Sequence, residues 1–302
     1  MREYEELMEH CTICPRRCGV NRLIGQQGFC QAPLLPKAAL VSTHNGEEPP
    51  ISGTKGSGTV FFSHCNMDCL FCQNHSISSE GFGKEISIER LSEVFIEQQN
   101  RGLHNINLVS PNHFIPQIRE SILLAKEKGL QIPLIYNTNG YESVESLRLL
   151  DGLIDIYLPD FKYCDENLAR KFSNAPSYFE IAGAAILEMA RQVGENKYLE
   201  NGLLKKGLIV RHLVLPNCYH DSFKVLDWIM VNMGRQTTIS LLNQYTPMFR
   251  AKEVETLSRR LTTFEYQKVV NYFFAIGLKN GFIQQRSSST SAYTPVFNLH
   301  GL

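Results

Sequence analysis

A chain of 302 residues is long enough for one large α/β domain with an additional module, and too long for a mini-protein held together by metals alone. Its 30 basic and 30 acidic side chains cancel, so no strong net field attracts nucleic acid phosphates or an anionic membrane. The N-terminus is acidic where a signal peptide needs an apolar run, and no later stretch approaches the length of a membrane span. We therefore expect a cytoplasmic protein that binds neither nucleic acid nor a membrane.

The nine cysteines are unevenly distributed along the chain. Because disulfides are rare in a reducing compartment, tight cysteine groups there indicate metal or redox chemistry. Cys164 and Cys218 stand alone, whereas the other seven form two groups. The first group consists of Cys11, Cys14, Cys18 and Cys30, and the second consists of Cys65, Cys69 and Cys72.

The first group has the spacing C-x2-C-x3-C-x11-C, in a segment rich in Gly, Pro and Arg and without a periodic apolar core. A metal would hold such a segment together. Four thiolates satisfy either a closed zinc site or a fully ligated auxiliary iron-sulfur cluster. Both occupants stay open on spacing alone, with the cluster as the first choice.

From Gly58 onward, short β-branched runs alternate with longer helical patterns, which is typical of βα units and a parallel sheet. Six strands are predicted, at residues 59–63, 105–109, 133–137, 153–158, 208–215 and 237–242. Five helices are predicted between and after them: one capped by Ser87, one from Pro116 to Gly129, one from a capping box of Ser177 and Glu180 to Gly194, and two near residues 221–233 and 264–276.

Six such units form either an open doubly wound sheet or a six-unit partial (β/α) barrel, and in both architectures ligands bind at the carboxyl ends of the strands. The second cysteine group directly follows the first strand, and polar residues follow the third and fourth. We therefore expect one pocket at these strand ends. The pattern predicts three segments, namely a Cys-rich segment over residues 1–57, a core over 58–280, and a tail over 281–302, in which the Ser-rich stretch 287–291 serves as a linker.

The second cysteine group has the spacing C-x3-C-x2-C, which allows three thiolates to bind one face of an iron-sulfur cubane. Three ligands for four irons leave one iron open. The alternative is a structural zinc with His64 or His75 as the fourth ligand. Such zinc sites use paired C-x2-C knuckles and avoid the catalytic ends of strands, so the cubane is favoured.

This triplet resembles the signature of the radical S-adenosylmethionine (SAM) superfamily, and the chain is similar to the pyruvate formate-lyase activating enzyme-like family. The matching stretches are CPRRCGVNR, GSGTVFFSHCNMDCLFCQN, NINLVSPNHFIPQI, PLIYNTNGYE, DIYLPDFKY, VRHLVLPN, SLLNQYTP and GLKNGFIQ. The resemblance implies an α/β fold, a partial (β/α)6 radical SAM barrel with an N-terminal Cys-rich metal-binding segment. It also implies a [4Fe-4S] cluster on the triplet and reductive cleavage of SAM to a 5'-deoxyadenosyl radical that abstracts hydrogen.

In the glycyl-radical activases, polar groups after the third and fourth strands surround the SAM carboxylate. A lysine can pair with that carboxylate and an aspartate with the SAM amine, although each side chain can also simply cap a strand or form a surface ion pair. The resemblance implies that the SAM contacts of this chain are Asn137, Thr138, Asp160 and Lys162.

The chain departs from the activases after its second strand. They carry a Gly-Gly-Glu stretch whose backbone contacts the SAM amine, whereas this chain has Ser110, Pro111, Asn112 and His113, and proline has no N–H to donate. The resemblance further implies an electron donor such as flavodoxin or ferredoxin, and a glycyl-radical enzyme as partner. The alternatives are another small-molecule or peptide substrate and, in a different class, a non-catalytic zinc or iron-sulfur binding module.

Overall fold

The computed structural model describes residues 3–285 and 295–302, and this part of the chain contains eleven strands and ten α-helices. The strands are β1 (Lys37–His44), β2 (Ser57–Phe62), β3 (Lys84–Glu85), β4 (Ile106–Val109), β5 (Leu134–Thr138), β6 (Ile156–Pro159), β7 (Lys197–Tyr198), β8 (Leu204–Leu208), β9 (Val210–Leu213), β10 (Ile239–Leu242) and β11 (Gly281–Ile283). The helices are α1 (Glu3–Glu9), α2 (Pro49–Ser52), α3 (His75–Ser78), α4 (Ile88–Asn100), α5 (Ile115–Glu127), α6 (Val144–Arg148), α7 (Glu166–Ser173), α8 (Tyr178–Val193), α9 (Tyr219–Met233) and α10 (Thr263–Ala275).

The sheet is mostly parallel, which confirms the predicted fold class. Eight strands follow the order β3-β1-β2-β4-β5-β6-β8-β7, and β11, β10 and β9 form a second sheet. A backbone bridge between Asp160 and Arg211 joins β6 to β9, and the Phe161 N–H donates to the Arg211 carbonyl at 2.7 Å. The parallel order therefore runs on through both sheets, from β2 to β11, as in a partial barrel.

All six predicted strand regions contain strands, but the region at 208–215 is interrupted. Its first part ends β8, which pairs with β6, and its second part is β9, which pairs with β10. At the last residue of β8, the Asn196 side chain donates to the Leu208 carbonyl at 3.2 Å and accepts the Leu208 N–H at 2.8 Å. A side chain thus replaces a neighbouring strand at this point, which a periodicity argument does not detect.

The sheet continues into both segments that were predicted to lie outside the core. β1 pairs antiparallel with β2, and β11 pairs parallel with β10. The last residues also contact β1, since the Leu299 N–H donates to the Ala39 carbonyl at 2.9 Å and the Val41 N–H donates to the His300 carbonyl at 2.8 Å. The predicted linker near 287–291 lies outside the described residues.

The five predicted helices form as α4, α5, α8, α9 and α10, and the described residues contain five further short α-helices, α1, α2, α3, α6 and α7. Ser87 caps α4 as predicted, because its hydroxyl accepts the Arg90 N–H. The capping box predicted at Ser177 is wrong: Ser177 has a φ of 53° and makes no side-chain cap, and its N–H donates to the Glu166 carboxylate. Within the described residues, no helix combines the length and apolar character needed to cross a bilayer.

Candidate active site

A cavity of about 640 Å³ opens where the parallel strands end. Connections after β2, β5 and β6 converge there because the carboxyl ends of parallel strands share one edge. All seven side chains that the sequence assigned to this pocket line it, namely Cys65, Cys69, Cys72, Asn137, Thr138, Asp160 and Lys162. The structure therefore brings the cysteine triplet and the four polar residues together.

Each of the three cavity sulfurs has a polar partner. Hydrogen bonds to a cysteine sulfur stabilise its thiolate and orient it for a metal. The partners are the Asn139 amide and the Met67 N–H at Cys65, both at 3.4 Å, the Ser173 hydroxyl at Cys69, at 3.0 Å, and the Ser78 hydroxyl at Cys72, at 3.2 Å.

Burial raises the pKa of all three thiols, to about 11 at Cys69, where the ammonium of Lys162 opposes the effect. Lys162 itself forms an ion pair with Asp160, with 2.5 Å between Nζ and Oδ2. Burial alone would lower the pKa of Lys162, but Asp160 and the Cys69 thiolate outweigh it and raise the pKa. A buried cation thus lies beside the three thiols, which must be deprotonated to bind a metal.

Thr138 lines the cavity but directs its hydroxyl at a buried carboxyl that was not predicted. It donates to Glu142 Oε1, to which the Tyr136 hydroxyl also donates at 3.3 Å. Burial raises the pKa of Glu142 to about 8 despite these two hydrogen bonds. Glu142 is therefore mostly protonated at neutral pH. Its hydrogen bond with Thr138 fixes the orientation of the Thr138 side chain.

A buried charge cluster lies among the cavity walls, and the sequence did not reveal it. Arg211, on β9, donates from Nε to Glu48 Oε1 at 2.9 Å and also pairs with Glu47. The Asn107 amide donates to Glu47 at 2.7 Å. The two glutamates come from the connection between β1 and β2, 163 and 164 positions from Arg211 in the chain. A charged residue inside an apolar strand was the only signal in the sequence.

Neither histidine considered as a fourth zinc ligand completes a zinc site with the triplet. His64 lines the cavity, where burial lowers its pKa to about 4, and His75 stacks on Phe249 with 4.8 Å between ring centroids. Across residues 3–285 and 295–302, no three His, Cys, Asp or Glu side chains are spaced to hold one metal ion. A cubane binds each thiolate at a different iron, so its ligands stand further apart than those of a single zinc ion.

Residues 110–113, where the sequence differs from that of the activases, lie partly at the cavity and partly in the core. Ser110 lines the cavity, and its N–H donates to the Asn137 carbonyl at 2.9 Å. His113 is buried, and burial lowers its pKa to about 3. The neutral ring therefore donates from Nε2 to the Ser63 carbonyl, 2.7 Å away, and helps to hold the end of β2.

The four N-terminal cysteines also come together in the structure, around a second and much smaller pocket. The space that they enclose is about 10 Å³. Burial raises the pKa of Cys14 to about 12, and the neighbouring Cys30, Cys11 and Cys18 thiolates add to the effect. The Phe29 N–H donates to Cys18 Sγ at 3.4 Å. All four predicted ligands therefore line one enclosed pocket.

The chain is similar in sequence to a known family and to a known archaeal protein. Residues 59–199 match the family model of the radical SAM superfamily. A relative in Methanocaldococcus jannaschii, the uncharacterized protein MJ0674, is 30% identical over 282 residues, which cover 88% of this chain and 75% of that protein.

Two solved structures match this chain at low sequence identity. The FeFe-hydrogenase maturase HydG from Carboxydothermus hydrogenoformans matches with a TM-score of 0.51 at 13% identity, over 78% of this chain and 56% of that one. Streptococcus suis SuiB bound to S-adenosylmethionine matches with a TM-score of 0.49 at 11% identity, over 74% of this chain and 48% of that one. This chain thus spans about half the length of these proteins, and the likeness to HydG concerns the fold alone.

Proposed function

We propose that this chain, which belongs to the radical SAM superfamily, cleaves SAM reductively at a [4Fe-4S] cluster held by Cys65, Cys69 and Cys72. Membership of the family implies the cluster and SAM as cofactors. When bound, the cluster supplies one electron and an open iron for converting SAM to methionine and a 5'-deoxyadenosyl radical. The observation that supports these ligands is that all three thiols line the 640 Å³ cavity beside the Asp160–Lys162 ion pair.

The polar residues of the cavity have distinct roles in this proposal. Lys162 offers its ammonium to the SAM carboxylate, and Asp160 accepts from the SAM amine, so the bound zwitterion takes the place of their mutual ion pair. Asn137 and Thr138 form the adjoining wall at the end of β5. Because Glu142 already accepts the Thr138 hydroxyl, Thr138 offers SAM an oriented oxygen and a methyl group.

Anaerobic reconstitution of the full chain, followed by reduction and product analysis, tests the assignment. We expect 5'-deoxyadenosine and methionine to form from SAM, and Cys69→Ala to reduce both to background. Cys164→Ala is the matched control, because Cys164 is outside the cavity lining, and it should retain turnover. Cluster-replete protein that never consumes SAM would overturn the enzyme assignment and favour the binding-module alternative.

We also propose a second metal site at Cys11, Cys14, Cys18 and Cys30, with a fully ligated iron-sulfur cluster as first choice and zinc as the alternative. The enclosed pocket that these thiols share supports it. Its 10 Å³ would have to widen for a cubane, whereas the sulfurs would have to converge for one zinc ion. Iron and zinc contents of the wild type and of Cys11→Ala distinguish the occupants: a cluster predicts a loss of iron, and a zinc site a loss of zinc.

Activation of a glycyl-radical enzyme is the more specific hypothesis for the substrate, with flavodoxin or ferredoxin as electron donor in the cytoplasm. Mixing the reduced enzyme with SAM and a glycyl-radical enzyme should then yield a glycyl doublet in the EPR spectrum. Another small-molecule or peptide substrate is the second candidate, favoured by the different segment Ser110 to His113 beside the cavity. Steady SAM cleavage without a glycyl signal would select this second candidate.

A further inference from the structure

We infer that Arg16, in the N-terminal four-cysteine segment, is a positioning residue that fixes the hydrogen bonds to two cavity cysteines and thereby tunes the reduction potential of their cluster. This inference rests on the proposed function, because it requires a cluster at Cys65, Cys69 and Cys72. What it adds is a physical connection between the two cysteine groups.

Arg16 lies between Cys14 and Cys18 and reaches out of the four-cysteine segment to the barrel. Its Nε donates to the Asn66 carbonyl at 2.9 Å, and its Nη2 donates to the Asn174 carbonyl. The guanidinium also stacks on the ring of Phe29, 3.7 Å from its centroid. One planar group therefore joins the four-cysteine segment to two separate parts of the cavity wall.

The first connection leads to Cys65. Asn66 is the next residue in the triplet loop, and its side chain is completely buried. Its Oδ1 accepts from Asn139 Nδ2 at 2.9 Å, and the same Nδ2 donates to Cys65 Sγ at 3.4 Å. The Asn66 amide in turn donates to the Tyr141 carbonyl at 2.6 Å. By holding the Asn66 backbone, Arg16 fixes the group that keeps the Asn139 amide against the Cys65 sulfur.

The second connection leads to Cys69. Asn174 ends α7 in the left-handed conformation, with a φ of 46°. The residue before it, Ser173, donates from its hydroxyl to Cys69 Sγ at 3.0 Å, and its carbonyl accepts the Asp68 N–H at 3.0 Å. The bond from Arg16 to Asn174 therefore holds the helix end that carries the donor to Cys69.

Hydrogen bonds to cysteine sulfur stabilise the more negative, reduced form of an iron-sulfur cluster, so their loss makes the reduction potential more negative. Arginine is suited to this position because its rigid planar fork reaches two carbonyls while it stacks on an aromatic ring. Lysine keeps the charge but provides neither feature. Arg16→Lys therefore separates the effect of position from the effect of charge.

The test is a redox titration of the reconstituted full chain, followed by EPR of the signal that changes when SAM is added, which identifies the cluster with the open iron. At the midpoint potential of the wild type, we expect the ratio of reduced to oxidised cluster to fall about tenfold in Arg16→Lys, a shift of about 59 mV. Arg17→Lys is the matched control, since Arg17 is the next residue and is exposed, and it should titrate like the wild type.

A mutant cycle determines whether Arg16 acts through the two donors. Asn139→Ala and Ser173→Ala should each lower the potential, and Arg16→Lys should add little to the combined Asn139→Ala/Ser173→Ala variant. An unchanged midpoint in both Arg16→Lys and Arg16→Gln, or a fully additive effect in the combined variant, would overturn the inference. A wild-type protein without any SAM-responsive cluster would instead overturn the proposed function.

Discussion

The two cysteine groups differ in the number of their thiols and in the space that the thiols face. Four thiols surround an enclosed pocket of about 10 Å³, whereas three line a cavity of about 640 Å³ that also contains the Asp160–Lys162 ion pair. A metal group bound by four thiolates has its coordination filled, but one bound by three on an open cavity can accept a further ligand. In the proposed function, ligand number and adjacent free volume, rather than cysteine content, would therefore separate a supporting site from a reactive one.

The four N-terminal cysteines, here called the enclosed group, lie in a segment that packs against the barrel. Arg22 donates from Nη1 to the His113 carbonyl at 2.8 Å, and the Ser146 hydroxyl donates to the Ile13 carbonyl at 2.6 Å. A metal bound at the proposed four-cysteine site would therefore stabilise these contacts on the barrel, because binding free energy at a structural site contributes to folding. We accordingly expect opposite consequences when a cysteine is removed from each group.

The largest expected effect comes from Cys72→Ala in the open group, which consists of Cys65, Cys69 and Cys72. SAM cleavage should fall to background because the cluster loses one of three ligands. The thermal midpoint should fall less than in Cys14→Ala, because the loop that carries Cys72 follows β2, which is already paired with β1 and β4. Product analysis and thermal unfolding measured on the same sample check both parts. If SAM cleavage persists, the open group is not the reactive one.

Cys14→Ala in the enclosed group should show the reverse balance. The loss of a fully ligated metal should remove several kcal/mol of folding free energy, visible as a large drop in the thermal midpoint. SAM cleavage at low temperature should survive in part, because the ligands of the open group are intact. Equal thermal midpoints for Cys14→Ala and Cys72→Ala would remove the distinction between a supporting and a reactive site.

Arg211→Met tests whether buried charge pairing stabilises the walls of the open cavity. It leaves Glu47 and Glu48 buried without their cation, and breaking a buried ion pair on one side costs about 3 to 5 kcal/mol. Urea unfolding should record that loss. The triple variant Arg211→Met/Glu47→Gln/Glu48→Gln is the control, and it should recover much of the stability because no unpaired charge remains. A single variant as stable as the wild type would exclude a supporting role for this cluster.

The comparison also indicates what the sequence could predict. Both cysteine groups were found because their members are close in the chain, and the cavity because strand ends in a parallel sheet converge. Arg16 and Asn174 are 158 positions apart, and Asn139 and Cys65 are 74 apart, so these hydrogen bonds depend on tertiary packing and no periodicity reveals them. The break between β8 and β9 could not be predicted for the same reason, since it depends on the Asn196 side chain.

Glu142→Gln should change how stability depends on pH. The pKa of Glu142 is raised from 4.5 to about 8 by burial, so the folded protein holds this proton where the unfolded chain releases it. The wild type should therefore lose stability as pH rises from 5.5 to 8, by on the order of 3 kcal/mol from this group. The variant, which is neutral throughout, should lack that loss. Urea unfolding at pH 5.5 and pH 8 measures the difference, and parallel pH profiles would contradict the assignment.

Lys162→Gln should have the smallest effect, confined to the open cavity. Loss of a charge-assisted hydrogen bond to the SAM carboxylate corresponds to about 1.5 to 3 kcal/mol, or roughly a 10- to 100-fold weaker affinity for SAM. Equilibrium binding to the reconstituted protein measures it, and Lys171→Gln, at an exposed position on α7, is the matched control. The metal content of the enclosed group should not change in either variant, because Lys162 lies beside Cys69 and Cys72 and lines only the larger cavity. If the variant binds SAM as tightly as the wild type does, Lys162 does not bind the SAM carboxylate, and its role is to stabilise the thiolates of the cysteine triplet.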